Sequence, residues 1–310
     1  MEENNDLIDL LFDPGYVSGV STGFLEVDKI SGGLKKGQLI VLAGSAGMGK
    51  SILGLTILVN VAKSGVPTLY FDLENGKEES FRRILQGWYG LSPDFFRDSK
   101  NKKATEKMLS EIDANLDYWG TDELLEFGYL KDGWQTLEKI IRAGGREKKY
   151  KPRVIVIDPL QALETSTEPG KALLEQGEII KHFKELAQKL NITIVVCHHL
   201  RKGQYTGGDY IASLDDLGEI KYRVPTLEDL KGSSKIGDFA QCVWGLVRTK
   251  DSNNKENRSR SLLRILKNRN GLSGDIGLYF DEDKLCFKDR PVIDFGQFDN
   301  TLLSESFHCS

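Results

Sequence analysis

Short apolar runs alternate with longer amphipathic segments along most of the chain. The apolar runs are rich in β-branched and aromatic residues and predict buried strands over residues 38–43, 68–73, 153–158, 192–197, 243–247, 262–266 and 277–280. The longer segments predict helices over residues 52–62, 77–88, 134–146 and 173–190, of which the last is clearly amphipathic, whereas residues 92–133 are polar and hard to assign. This alternation predicts an α/β fold, with a mostly parallel, doubly wound sheet that is flanked by helices and buried on both faces.

The same pattern predicts one domain without internal repeats. We expect a linker segment at residues 1–18, the domain at residues 19–292 and a flexible tail at residues 293–310. Within the linker, apolar residues between positions 7 and 12 recur at helical spacing, but a helix this short is unstable alone. We therefore expect it to dock on its own domain or on a neighbouring subunit.

The amino-acid composition limits the cellular compartments and the kinds of binding partner that we expect. Hydrophobic residues make up 39% of the 310 residues and charged residues 28%, as in ordinary globular proteins. No apolar run approaches the roughly 18 residues of a membrane span, and the acidic N-terminus does not resemble a signal peptide. Four scattered cysteines favour a cytoplasmic or other reducing compartment. With a net charge of −4, binding of nucleic acid would need a local basic surface.

The most specific chemical signal is a glycine-rich turn between the first predicted strand and the first predicted helix. The turn fits the phosphate-loop pattern G-x-x-x-x-G-K-[ST] with Gly44, Ser45, Ala46, Gly47, Met48, Gly49, Lys50 and Ser51. Its glycines let several backbone N–H groups point at one anion, and the start of the helix adds the positive end of its dipole. Lys50 can then reach the β- and γ-phosphates of a nucleotide, and the Ser51 hydroxyl can ligate Mg²⁺.

Acidic residues at two strand ends predict hydrolytic chemistry. Asp158 ends an apolar strand, where a phosphate-loop protein can hold Mg²⁺ or its water shell. Glu74 follows another strand and could orient and polarise an attacking water. Asp72 is its rival, because alternation turns Asp72 and Glu74 to the same face. We favour Glu74, since it lies nearer the end of the strand.

Two further polar pairs follow predicted strands. His198 and His199 come after the strand at residues 192–197, where a donor could touch a γ-phosphate. Lys267 and Arg269 follow the strand at residues 262–266 and project to the same side of an extended segment. These two cations can stabilise phosphate charge, either in their own site or across a subunit boundary, as an arginine finger does.

Together these segments resemble the RecA-type ATPase core of the ring-shaped, DnaB-like replicative helicases. The resemblance spans residues 19–287 and includes the phosphate loop, the strand ends at Glu74 and Asp158, and residues 197–202. Its most specific parts are the stretches Asp-Leu-Lys-Gly-Ser at residues 229–233 and Lys-Asn-Arg-Asn-Gly at residues 267–271. Most members of this family carry a primase or helical N-terminal domain. Only about twenty residues precede the core here, so we expect no such domain in this chain.

The resemblance implies a role for each of these residues. Lys50, Ser51 and Asp158 would bind ATP and Mg²⁺, and Glu74 would be the catalytic glutamate. His199 would sense the γ-phosphate, with the neighbouring histidine at position 198 as the alternative.

The resemblance also implies a homo-oligomeric ring, expected to be a hexamer, that moves along single-stranded DNA. Lys267 and Arg269 would act in trans on the ATP of a neighbouring subunit, and Arg248 would lie near the base of the nucleotide. DNA-binding loops would fall in residues 201–228, although the mixed charge of this stretch also suits a solvated loop. The cations that could track a DNA backbone there and just beyond are Arg201, Lys202, Lys221, Arg223, Lys231 and Lys235.

We therefore expect an ATP-dependent DNA helicase that unwinds duplex during replication, with primase, polymerase or other replication proteins as candidate partners. Three alternatives use the same core: a recombination or repair ATPase that forms filaments, a clock-type ring ATPase, and an accessory scaffold that binds ATP. The pair Lys267 and Arg269, with residues 229–233, favours the helicase over the first two. Glu74 and Asp158 together argue against a scaffold that does not hydrolyse ATP.

Overall fold

One sheet runs through the part of the chain that the structure describes. A computed structural model describes residues 19–112, 114–129, 133–146, 151–163, 168–200, 225–248, 258–269 and 271–290, with only the backbone of residues 169 and 231–234. The strands are β1 (Leu39–Gly44), β2 (Thr68–Asp72), β3 (Leu116–Trp119), β4 (Val154–Asp158), β5 (Thr193–His199), β6 (Cys242–Arg248), β7 (Arg260–Asn268), β8 (Gly274–Asp281) and β9 (Cys286–Asp289). Their spatial order is β3-β2-β4-β5-β1-β6-β7-β8-β9.

The sheet is mixed, and its parallel part confirms the predicted α/β fold. Strands from β3 to β6 in that order pair in parallel, whereas β7, β8 and β9 add to β6 as an antiparallel extension. Parallel neighbours need crossover connections, which here contain helices. The carboxyl ends of β1, β2, β4, β5 and β6 therefore meet along one end of the sheet, where ligands of such folds bind.

Helices cover both faces of the sheet. They are α1 (Leu25–Ser31), α2 (Lys50–Lys63), α3 (Lys77–Tyr89), α4 (Lys102–Ile112), α5 (Thr121–Glu126), α6 (Trp134–Ala143), α7 (Pro169–Leu190) and α8 (Ser234–Phe239), with short 3-10 turns at Pro93–Arg97, Ser99–Asn101, Leu160–Leu163 and Leu227–Ser233. Alternate residues of β1 divide between the faces: Ile40 belongs to one apolar cluster with Leu53 of α2, and Val41 to another with Phe183 of α7. None of the helices described is both long and apolar enough to cross a membrane.

The predicted strands and helices are present with small shifts at their ends. The helix predicted to reach residue 146 ends at Ala143, because Gly144 adopts a φ of 85° and its N–H closes the last turn. Residues 92–133, which the pattern left unassigned, contain α4, β3 and α5. The apolar cluster at positions 7–12 and the predicted DNA-binding loop up to residue 224 lie outside the described residues.

Candidate active site

The phosphate loop leaves the last residue of β1 and leads into α2. Gly49, just before α2, has a φ of 95°, which favours glycine, and a Cβ there would lie 3.0 Å from the ring of Phe287. Lys50 is only 4% exposed, and its ammonium donates to the Ser45 carbonyl at 3.0 Å. The loop therefore holds a buried cation beside the N-terminus of a long helix, as anion binding requires.

Helix α2 lies close against the sheet because Gly54 has no side chain. A Cβ at Gly54 would come within 3.3 Å of Val156 Cγ1 and 3.4 Å of Cys197 Sγ. Ser51 precedes Gly54 by one turn of the helix, and its hydroxyl reaches the carboxylate of Asp158 at the end of β4. The predicted partners for Mg²⁺ therefore lie together.

Asp158 is a buried carboxylate with an unsatisfied oxygen. It is 3% exposed, Tyr70 donates its hydroxyl to Oδ2 at 3.3 Å, and Oδ1 accepts no hydrogen bond from the described residues. Burial raises the pKa of Asp158 to about 6, while the Ser51 hydroxyl and the Lys50 ammonium oppose the rise. A bare acceptor in a buried site is costly, and a hard divalent cation with oxygen ligands would satisfy it. The residues present therefore fit Mg²⁺.

The rivals Asp72 and Glu74 occupy different environments. Asp72 is 1% exposed, and its carboxylate accepts hydrogen bonds from the turn that follows β2. Glu74 is exposed, and its charge is close enough to raise the pKa values of both Asp158 and His199. Glu74 is thus exposed near the site, whereas the carboxylate of Asp72 is used in hydrogen bonds with the turn.

The two histidines also point to different places. His199 pairs with Gly44 across β5 and β1, beside the phosphate loop. Partial burial lowers the pKa of His199, the charge of Lys50 lowers it further, and Glu74 opposes both. His198 is 6% exposed and its Nδ1 lies 2.8 Å from Gln161 Nε2. His199 therefore contacts the site, whereas its neighbour is part of the packing.

Sequence reasoning missed two side chains that shape the site. The first is Tyr70, whose hydroxyl donates to Asp158. The second is Gln161, which brackets the backbone of His199: its Nε2 donates to the carbonyl at 3.1 Å and its Oε1 accepts from the N–H at 3.1 Å. Gln161 lies three residues after Asp158, and nothing local in the sequence indicates this contact.

Arg269 lies at the opposite end of the sheet from the phosphate loop. Its N–H donates to the carbonyl of Gln241, whose own N–H donates to Leu39, the first residue of β1. The phosphate loop follows Gly44, the last residue of β1. Leu39, at the level of Arg269, and Gly44, at the level of the phosphate loop, are five residues apart along β1. At roughly 3.3 Å per residue this separation is about 17 Å. Arg269 therefore does not reach the phosphate loop of its own chain.

The cationic pair is held by the end of α8. Lys267 Nζ donates to the carbonyl of Gly237 at 2.6 Å, and Arg269 Nη2 donates to the carbonyl of Asp238 at 3.0 Å. These carbonyls are in the last turn of α8, where cations are favoured. Lys267 is half-buried and Arg269 is exposed.

Arg248 ends β6 beside the phosphate loop. Its N–H donates to Met48 Sδ at 3.4 Å, and its guanidinium lies 4.0 Å from the centre of the Phe280 ring. Burial lowers the pKa of Arg248, and its Nε and Nη1 have no hydrogen-bond partner among the described residues. The contact with Met48 places Arg248 at the loop, and its predicted contact with the base stays a prediction.

Only one of the six predicted DNA-binding side chains is described. Lys235 Nζ donates to Glu178 Oε1 of α7 at 2.6 Å on the surface. The others lie outside the described side chains: Arg201, Lys202, Lys221, Arg223 and Lys231. The DNA-binding prediction is therefore neither supported nor contradicted by the geometry.

Comparisons with known proteins agree on one family. A family model for the DnaB-like helicase C terminal domain matches residues 19–289. A probable replicative DNA helicase of Trieres chinensis is 27% identical over 285 residues, which cover 88% of this chain and 58% of the relative. The replicative DNA helicase DnaB of Leifsonia xyli is 26% identical over 289 residues, covering 90% and 58%. The chain thus spans little more than half the length of these relatives.

Solved structures show the same fold. One solved ATPase domain superimposes with a TM-score of 0.70 at 18% identity, covering 93% of this chain and 98% of that one. A DnaB-like replicative helicase, solved in a study of its interactions with primase, gives a TM-score of 0.69 at 20% identity, covering 94% and 67%. At these identities the likeness is one of fold.

Proposed function

The chain belongs to the DnaB-like helicase C-terminal domain family, and from this premise we propose that it is the ATPase core of a ring-shaped DNA helicase. It would move along single-stranded DNA and separate duplex, driven by hydrolysis of ATP with Mg²⁺. We assign this activity to residues 19–292, between a linker at residues 1–18 and a tail at residues 293–310. The replicative helicases among its relatives support the assignment.

Nucleotide binding is proposed for the carboxyl end of the parallel strands. Lys50 and the N-terminus of α2 would hold the phosphates, and Ser51 and Asp158 would hold Mg²⁺, which supplies charge neutralisation at the γ-phosphate. Glu74 would take the proton of the attacking water, because its carboxylate is exposed beside this end of the sheet. His199, in contact with the same space, would donate to the γ-phosphate.

The observation that carries the proposal is the separation of about 17 Å, by strand geometry, between the phosphate loop and Arg269. A phosphoryl-transfer site gains much of its rate from a cation at the γ-phosphate. Arg269 of this chain does not reach its own phosphate loop, and the Lys267 ammonium is held by a carbonyl of α8. A second copy of the chain can supply Lys267 and Arg269. We therefore propose a homo-oligomer with ATP between subunits, six in a closed ring, and primase as a partner on the precedent of the DnaB-like structure.

The test combines two measurements on one preparation. Steady-state ATP hydrolysis is measured with and without single-stranded DNA, and strand separation is measured on a forked duplex. We expect DNA to stimulate hydrolysis and the fork to be opened, with Lys50→Ala inactive in both. Stimulation without opening would favour a filament-forming recombination or repair ATPase. Hydrolysis that is indifferent to DNA would contradict both functions.

A further inference from the structure

A buried carboxylate next to the proposed site makes contacts that the reaction scheme above does not use. Asp72 ends β2 and pairs with Asp158 of β4 across the sheet. Its Oδ1 accepts from the N–H of Glu74 at 3.2 Å and from the N–H of Asn75 at 3.0 Å. Its Oδ2 accepts from Ser80 Oγ at 2.8 Å, and the side-chain amide of Asn75 donates to both oxygens. Asp72 is therefore fully engaged by the turn that follows it.

These contacts fix the backbone of Glu74 from one side. The other side of the turn is held by Thr121, whose N–H and hydroxyl both donate to the carbonyl of Asn75 at 2.9 Å. The N–H of Leu73 donates to the carbonyl of Asp158 at 2.8 Å, which ties the turn to the proposed metal ligand. The exposed carboxylate of Glu74 accepts none of these bonds, so its position depends on its backbone.

We infer that Asp72 is a positioning residue: by holding the N–H groups of Glu74 and Asn75, it places the Glu74 carboxylate for activation of water. This inference rests on the proposed role of Glu74 and extends it. Loss of the Asp72 carboxylate would release two backbone N–H groups and the Ser80 hydroxyl in a buried place. The turn would then sample other conformations, and a displacement of about 1 Å at a reacting group can cost on the order of 10²-fold in rate.

The experiment compares Asp72→Ala, Asp72→Asn and Glu74→Gln in the full chain, with ATP hydrolysis measured without DNA and counted per nucleotide-binding site. For Asp72→Ala we expect kcat to fall by about 10- to 100-fold, with KM for ATP within about twofold of wild type. Asp72→Asn keeps one oxygen for both N–H groups, and its amide can donate to Ser80. We therefore expect kcat to recover to within about fivefold of wild type. Asp98→Ala is the matched control, since Asp98 accepts from the N–H of Lys100 at 2.9 Å in an exposed turn.

Each outcome decides between roles. If Asp72 itself accepted the proton, Asp72→Asn would be as inactive as Asp72→Ala, and the inference would be wrong. An unchanged kcat in Asp72→Ala, with Glu74→Gln inactive, would overturn the inference and leave the proposed role of Glu74 intact. Turnover retained by Glu74→Gln would instead contradict that role.

A milder variant covers the case in which Asp72→Ala does not fold. Ser80→Ala removes one donor to Asp72 and keeps both N–H contacts. We expect it to lower kcat by about two- to fivefold without a change in KM. Wild-type kcat in a folded Ser80→Ala, or a rise in KM alone, would count against positioning by Asp72.

Discussion

The two ends of the sheet carry opposite kinds of functional group. At the carboxyl end, the charges of Asp72, Glu74 and Lys50 act on Asp158, Arg248 lies beside the phosphate loop, and most of the carboxylates are buried. At the other end, Lys267 and Arg269 donate to neutral helix carbonyls and are at least partly exposed to solvent. The fold therefore keeps a largely buried site with three carboxylates a strand length from Arg269. In the proposed mechanism each end would need the other, and a second copy of the chain would bring them together.

The largest effect is expected from a mutation at the cationic end. Arg269→Ala should lower ATP turnover by about 10⁴-fold, because a cation at the γ-phosphate supplies on the order of 10³ to 10⁵ in rate. Nucleotide affinity, followed with a fluorescent ATP analogue, should stay close to wild type. Arg264→Ala is the control, since Arg264 lies on β7, just before Arg269, and pairs with Asp275 at 2.6 Å.

A mixture of variants tests whether the ends belong to different chains. Subunits with Arg269→Ala keep Glu74, and subunits with Glu74→Gln keep Arg269. Mixed in equal amounts, they should recover part of the activity that each lacks alone. If the mixture stays inactive while both variants assemble with wild-type subunits, or if Arg269→Ala loses ATP affinity and keeps turnover, the site is not shared in this way.

The next largest effect is expected from a mutation at the carboxyl end. Glu74→Gln should lower turnover by about 10³-fold, since general-base catalysis contributes on the order of 10² to 10⁴. Binding of ATP and Mg²⁺ should persist, because Lys50, Ser51 and Asp158 are unchanged. Glu78→Gln alters an exposed glutamate in the first turn of α3 and should have wild-type activity. Equal losses in the two variants would point to surface charge as the cause.

A smaller effect concerns the acidity of the carboxyl end. Burial raises the pKa of Asp158 from 3.8 to about 6, so between these pH values the folded protein keeps a proton that the unfolded chain has released. The free energy of unfolding of the nucleotide-free protein therefore falls as pH rises through this window, by up to about 3 kcal/mol. Asp158→Asn removes this loss. In urea titrations it should be more stable than wild type at pH of about 7.5 and similar to it at pH of about 4; a less stable variant at the higher pH would contradict the assignment.

The smallest effect is expected from Lys235, near the cationic end, and it tests whether this side chain contacts DNA. Lys235 on α8 forms an exposed ion pair with Glu178, and such pairs contribute little to stability. Lys235→Ala should leave the melting temperature unchanged. If Lys235 contacts a DNA phosphate, the slope of log affinity against log salt should become shallower by about one. An unchanged slope would remove Lys235 from the DNA-binding set, and Glu178→Gln serves as the paired control.

The sequence predicted what depends on neighbours along the chain. The phosphate loop, the strands around it and the position of Asp158 follow from local periodicity and spacing. Alternation could not separate Asp72 from Glu74, because both turn to one face, and burial in the folded turn was needed to distinguish them. The short edge strand β3 was missed because four residues give too little period to recognise.

Contacts across the sheet lay beyond local reasoning. His199 is distinguished from His198 by its register against Gly44, and Gln161 meets both histidines from another strand's end. The distance of Arg269 from the phosphate loop likewise depends on the register of β7 against β6 and of β6 against β1. None of these distances is encoded in spacing along the chain.

The two hydrogen bonds between the Gln161 side chain and the backbone of His199 extend the pairing of β4 with β5. Backbone pairing between these strands runs to Ile157 and Val196, and beyond it a single side-chain amide supplies the next two hydrogen bonds. Hydrogen bonds made by a side chain can break and re-form while the backbone hydrogen bonds between β4 and β5 stay intact. On the side that faces β4, a shift of His199 therefore costs the hydrogen bonds of one half-buried glutamine, whereas on the side that faces β1 it acts against the backbone pairing with Gly44.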